Sequence, residues 1–205
     1  MRKWTDDRKL STKEKDKKII KYTQPKIKYE YSTITWDDYM RNKYDGYKTI
    51  RSSIIPIASI NDKTHWLLGS FHDYPRYICM DFGGSCIIEE GREINRQFPF
   101  GCAINELHEE SKGLLTQVIL KNIGITDPNQ LHIYVGKARR PETKVFFFFV
   151  PVDYEEIKSI IDIFNSTPDI DEKLGPIDFY SEEDIFTSKI LTTHHLTDFI
   201  DNLTN

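Results

Sequence analysis

Three carboxylates, Glu106, Glu109 and Glu110, stand in the segment 101–115 at spacings of three and four residues. In a helix those spacings put all three on one side, about one turn apart. Like charges so placed repel, by about a few tenths of a kcal/mol per pair in an isolated helix. A hard divalent cation reverses the sign of that term. Mg²⁺ takes oxygen ligands, commonly one or two carboxylates together with a substrate's phosphates. Ala103, Ile104, Leu107 and Leu114 form an apolar stripe that would seat the same helix on a core. One face would bury while the other chelates.

Upstream stands Asp81-Phe82-Gly83-Gly84, followed by the acidic stretch holding Glu89, Glu90 and Glu93. A double glycine after an apolar stretch predicts a strand ending in a turn, where backbone can approach a ligand closely. Together these residues resemble the Nudix box, whose signature is a glycine loop, a glutamate, then Arg-Glu-aliphatic-any-Glu-Glu on a helix, closed by glycine and an aliphatic residue. Glu106-Leu107-His108-Glu109-Glu110 matches the carboxylate core position by position, and Gly113-Leu114 is similar to the closing pair, displaced by one residue. Two features depart from the pattern. Asn105 stands at the arginine position and cannot make the ion pair that orients the box glutamates. The intervals from Gly84 to Glu93 and on to Glu106 are also longer than usual, so residues 94–101 read as an insertion ahead of the helix. The match covers roughly residues 83–115.

The resemblance implies a fold, an activity and a set of residues. The fold would be α/β (α+β), a mixed β-sheet sandwiched between helices, spanning residues 29–205. The activity would be hydrolysis of a diphosphate linked to a nucleoside or similar group, with Mg²⁺ or Mn²⁺. Glu106 and Glu110 would be direct metal ligands with Glu109 beside them. Glu93 (or Glu89 or Glu90) and the carbonyl of Gly84 would be further ligands, and Glu172 a distal-loop base. Cys102-Ala103-Ile104 is similar to a segment of Nudix enzymes that decap mRNA, which tilts the expected substrate toward a capped RNA end. A non-catalytic module binding a nucleotide, RNA or protein is the alternative that Asn105 and the insertion favour.

Arginine forks suit bidentate phosphate contact, and Lys137, Arg139 and Arg140 flank a strand end. With Arg51 they are the candidate substrate contacts. Glu155 and Glu156 are explained by the preference of helix N-termini for acids. His108 reads as a neighbour of the site rather than a base. His194 and His195, being adjacent, point different ways on a helix and read as surface or packing residues.

The 205 residues carry a net charge of −4, unevenly placed. Residues 1–28 hold eleven Lys or Arg against four Asp or Glu, which leaves −11 on the rest. Such an arm could contact RNA by counterion release, or be a solvated extension. No stretch reaches the roughly 18 apolar residues of a membrane span, so no membrane partner is expected. Cys79, Cys86 and Cys102 are odd in number and form no Cys-x-x-Cys pair. They read as reduced thiols in a cytosol-like compartment. The abundance of Ile, Lys and Asp suits an A+T-rich genome such as that of a large DNA virus, which would place the chain in host cytoplasm.

The elements that must position the acids are legible from periodicity. Residues 36–40 predict a helical turn, residues 51–58 a strand with Pro56 at an edge or bulge, and 65–71, 77–80 and 131–135 further strands. The unbroken apolar run from Val145 to Val150 must bury both faces and so predicts a central strand with helices on either side. Ile157, Ile160, Ile161 and Phe164 have helical spacing. Ser181 before three acids predicts an N-cap, and a last helix is expected over about 196–203.

Overall fold

A computed structural model describes residues 28–41, 49–71, 78–87, 98–125, 131–138, 143–167, 175–187 and 189–204. The run Val145–Val150 lies in strand β7, Thr143–Pro151, where residues 144–150 are buried. It runs parallel to β2, Thr49–Ile60, on one side and antiparallel to β6, His132–Ala138, on the other. Phe146 and Phe148 enter the cluster on one sheet face, and Phe147 and Phe149 the cluster on the other. Pleat alternation divides four consecutive aromatics between two cores. Each buried Phe contributes roughly 1.5–3 kcal/mol of transfer free energy.

The remaining strands are β1 (Tyr29–Ile34), β3 (Lys63–Phe71), β4 (Ile78–Met80), β5 (Phe82–Ile87), β8 (Ile177–Ser181) and β9 (Leu191–Thr192). Among the described residues they form one sheet in the order β1-β6-β7-β2-β3-β4-β9, with β5 added to β2 and β8 to β3. The helices are α1 (Trp36–Arg41), α2 (Phe98–Glu110), α3 (Thr116–Ile125), α4 (Tyr154–Ser166), α5 (Glu182–Phe186) and α6 (His194–Thr204). Buried residues of α1 to α4, including Tyr39, Leu107, Ile119 and Ile161, pack with Phe146 and Phe148. Ile185 of α5 and Leu196 and Phe199 of α6 pack with Phe147 and Phe149. The mixed sheet between helices is the architecture expected from the sequence.

Strand β2 is the divider. One edge pairs β7 from Thr49 to Ile57, while the other pairs β5 through Ile54 and β3 from Ile57 onward. Pro56 therefore lies in a central strand and not at an edge. Residues 55 and 56 are the two with no antiparallel partner, so the missing N–H falls where two ladders part.

Two further expectations are corrected. Gly83 and Gly84 are inside β5, opposite Ser53 and Ser52, and not in a turn. Residues 98–100 belong to the first turn of α2 rather than to an insertion before it. Pro99 is tolerated there because first-turn N–H groups have no intrahelical acceptor. The helix ends where Lys112 and Gly113 turn to positive φ (54° and 78°) and the Gly113 N–H donates to the His108 carbonyl at 2.7 Å. The Ser181 cap follows the sequence reading, and Asp153 adds a second cap that the sequence reading did not name. Ser181 caps α5 by accepting from the Asp184 N–H, and Asp153 caps α4 by accepting from the Glu156 N–H.

Candidate functional site

Residues 102, 106 and 110 are four apart and form one stripe of α2, which lies across β5. The glycines make that approach possible. A Cβ on Gly84 would run into the carboxylate of Glu106, and one on Gly83 into the Ser53 side chain and the Ser52 carbonyl. Glycine is required here for close approach, in an extended strand, and not for a left-handed backbone. One turn beyond Glu106, the Glu110 Oε2 accepts from the Gly83 N–H at 3.0 Å.

The Gly83 peptide is also held from the other sheet face. Arg51 and Ser53 alternate on β2 with Ile50, Ser52 and Ile54, so they point away from α2. Arg51 donates from Nη1 to the Gly83 carbonyl at 3.0 Å and from Nη2 to Asp81 Oδ2 at 2.6 Å. Ser53 Oγ donates to the same Asp81 oxygen. Asp81 has no exposed surface, and the Arg51 side chain is only 11% exposed. A guanidinium thus grips the glycine strand that in turn grips Glu110.

The polar accounting of this corner does not close. Asp81 Oδ1, Arg51 Nε and Ser52 Oγ are buried with no hydrogen-bond partner among the described residues. Leaving such groups unpaired costs about 1–3 kcal/mol each. Burial pushes the Glu110 carboxyl up to about 8, helped by the neighbouring charges of Asp81 and Glu106 and opposed by Arg51 and the Gly83 N–H. Asp81 is paired with Arg51, and the charges of Asp81 and Glu106 both act on Glu110. Glu106 and Glu110, one turn apart on a half-buried stripe of α2, offer the carboxylate oxygens that a divalent cation takes. An oxygen-preferring ion therefore fits the residues present.

The sequence-predicted residues separate clearly. Glu106, Glu110, Gly84 and Arg51 come together at the crossing of β5 and α2, whereas Glu109, on the same helix, is exposed. Lys137 is exposed on β6, which β7 separates from β2. Glu93 (with Glu89 and Glu90), Glu172, Arg139 and Arg140 lie outside the described residues, as does the basic arm as far as residue 27. Asn105 is exposed. Glu156 is engaged elsewhere, in a 2.8 Å ion pair with Lys121. His108 Nδ1 lies 3.2 Å from Thr116 Oγ1, tying α2 to α3. Asp81 was missed by sequence reasoning. Its one signal is a carboxylate flanked by Met80 and Phe82 where a strand should be apolar. The thiols need correction too: Cys86 of β5 and Cys102 of α2 are paired as a disulfide, and Cys79 is the free, buried cysteine.

Fold and site define a mixed-sheet α/β protein with a carboxylate helix laid over a diglycine strand. It is similar to the Nudix domain of Shewanella oneidensis NrtR complexed with ADP ribose, at 12% identity, over 83% of this chain and 97% of that one, with a TM-score of 0.42. It is also similar to a binary complex of a C. elegans Ap4A hydrolase (14% identity, 76% and 95% coverage, TM-score 0.39). A further C. elegans Ap4A hydrolase structure matches at 16% identity, with coverages of 76% and 93% and a TM-score of 0.35. No protein-family model and no curated protein sequence matches the chain.

Proposed function

We propose that this chain is a divalent-metal-dependent hydrolase of the Nudix type, cleaving a diphosphate linkage in a nucleoside-diphosphate derivative, with the cap of mRNA as the favoured substrate. The observation that carries the reading is the crossing of α2 over β5, where Glu106 meets Gly84 and Glu110 is bonded to Gly83 with Asp81 and Arg51 behind them. Glu106 and Glu110 would hold Mg²⁺ or Mn²⁺, with Glu109 at the exposed margin and Glu93 as a further ligand. The ion would neutralise phosphate charge and make a water acidic enough to attack phosphorus near neutral pH.

The chain's own residues do the rest. Gly84 leaves the room in which the Glu106 carboxylate lies against the backbone of β5. Arg51 fixes the Gly83 peptide, and through it Glu110. It supplies from β2 the cation that Asn105 cannot supply from the helix, and its engagement with Asp81 and Gly83 makes positioning its first role, ahead of phosphate contact. Lys137, Arg139 and Arg140 remain the candidates for binding substrate, Glu172 for the base, and residues 1–28 for an RNA-binding arm.

The exposed Asn105 favours a second reading, a Nudix-like module that binds nucleotide or RNA without turnover. A substrate panel separates the two: cap-labelled RNA, dinucleoside polyphosphates and diphosphoinositol polyphosphates, with Mg²⁺ or Mn²⁺, on wild type and Glu110→Gln. The enzyme reading expects metal-dependent release that the variant loses by about 100-fold or more, the scale of removing a preorganised electrostatic group. Tight binding with no release from any member would establish the module instead. Deleting residues 1–28 is expected to weaken salt-sensitive RNA affinity, and unchanged affinity would remove the arm from the proposal.

A further inference from the structure

The stripe of α2 that faces β5 carries three contacts, one per helical turn, and the sulfur pair is the first of them. Cys102 meets Cys86, Glu106 meets Gly84, and Glu110 meets the N–H of Gly83. Cys86 and Gly84 share a strand face because they are two apart, and Cys102 and Glu106 share a helix face because they are four apart. The cross-link therefore sits one turn, about 5.4 Å of helix rise, from the first carboxylate. The two sulfurs and a Glu106 carboxylate oxygen lie within 4.8 Å of one another. The Cα atoms of the pair are 6.5 Å apart, inside the span of about 4.4–6.8 Å that a disulfide bridges without moving backbone.

We infer that Cys86 and Cys102 are a reversible thiol–disulfide modification site, and that closing the bond clamps the carboxylate helix to the diglycine strand and raises the site's affinity for a divalent cation. The inference rests on the cation reading of Glu106 and Glu110 given above. Cys102 is 6% exposed and Cys86 is more open, so Cys86 is the sulfur an external disulfide reaches first. With glutathione disulfide as oxidant, the Cys86 thiolate attacks one sulfur and releases one glutathione thiolate. The Cys102 thiolate then attacks the Cys86 sulfur of the mixed disulfide and releases the second glutathione. Two electrons pass to glutathione disulfide, and the two thiol protons end on the two released glutathiones. In a reducing compartment the same exchange runs backward and opens the clamp.

The clamp removes freedom that cation binding would otherwise have to remove, so the oxidised form binds more tightly. Coupling of this kind is commonly worth about fivefold or more in affinity. It also closes a loop with a sequence separation of 16 residues, so oxidation should raise the melting temperature by about 5–10 °C.

The full chain is equilibrated with glutathione disulfide or with a phosphine reductant. Alkylation after denaturation then counts its thiols by mass, and Mn²⁺ alone is titrated by electron paramagnetic resonance. The expected result is one alkylated thiol, Cys79, in the oxidised form and three in the reduced form, with the Mn²⁺ dissociation constant at least fivefold lower when oxidised. Cys86→Ser and Cys102→Ser should each behave as the reduced form under both treatments, and Cys79→Ser should keep the redox dependence. Three alkylated thiols after oxidation, or a disulfide that leaves Mn²⁺ affinity unchanged, overturns the inference and leaves the cation site standing. Absence of Mn²⁺ binding in both states overturns the cation site and the inference together. Redox-dependent Mn²⁺ binding without turnover of any substrate supports the inference and removes only the enzymatic reading.

Discussion

Two regions of one sheet are built to different rules. On the α6 side, Phe199 stands 4.6 Å from Phe147, 5.0 Å from Tyr134, 5.1 Å from Tyr31 and 5.7 Å from Phe149, ring centre to ring centre. The buried acid there, Asp198, accepts from the N–H of Tyr29 at 3.1 Å. Around β5, buried Asp81 Oδ1, Arg51 Nε and Ser52 Oγ lack hydrogen-bond partners among the described residues, and burial with the charges of Asp81 and Glu106 pushes the Glu110 carboxyl up. The first region contributes stability. The second forgoes stability by burying polar atoms without partners and a carboxyl whose pKa is raised, as sites that must take up a ligand do.

Breaking the aromatic side should cost the most and leave function alone. Phe199→Ala is expected to destabilise by about 3–5 kcal/mol, lowering the melting temperature by roughly 10 °C or more, without changing the Mn²⁺ dissociation constant of the folded fraction. Calorimetry with a parallel Mn²⁺ titration checks both halves. A large change in ion affinity would mean the two regions are not separable.

On the other side the sign of one substitution should invert. Glu110 has its folded pKa raised to about 8 from an ordinary 4.5. Between those values the unfolded chain has released a proton that the folded chain retains, so stability falls as pH rises through that window. Glu110→Gln should therefore be more stable than wild type near pH 8 in the absence of divalent ions, by up to a few kcal/mol, with the advantage vanishing toward pH 4. Melting curves across pH 4–9 with chelator test this. A variant less stable at every pH would show Glu110 to be a structural support.

Smaller changes sharpen the picture of the glycine strand. Gly84→Ala places a methyl where the Glu106 carboxylate lies. It should cost about 1–3 kcal/mol, the scale of overpacking, and weaken Mn²⁺ binding, whereas Gly101→Ala, whose Cβ meets nothing within 4 Å, should do neither. Arg51→Lys keeps the charge but loses the fork that reaches Asp81 and Gly83 together. It is expected to cost about 1–2 kcal/mol and to lower kcat more than it raises KM. A rise in KM alone would restore Arg51 as a phosphate contact.

Legibility in the sequence followed the same division. Elements whose cause is local or periodic were readable: the Val145–Val150 run, the Ser181 cap, and the apolar stripe beneath Glu106 and Glu110. Features set by which elements meet were not. The diglycine reads locally as a turn, yet its purpose is the room it leaves for Glu106 from α2 and Ser53 from β2. Pro56 reads as an edge or a bulge because a regular central strand needs every N–H, and nothing local reveals that two ladders part there. The Cys86–Cys102 pairing and the roles of Asp81 and Arg51 depend on β2, β5 and α2 converging, with partners up to 32 positions apart in the chain.

The most direct test of the central claim is anomalous scattering from crystals grown with Mn²⁺. A peak coordinated by the Glu106 and Glu110 carboxylates beside Gly84, abolished in Glu110→Gln, is the result predicted here. Manganese bound only elsewhere, with Glu110 still bonded to Gly83 and no density between it and Glu106, would contradict it.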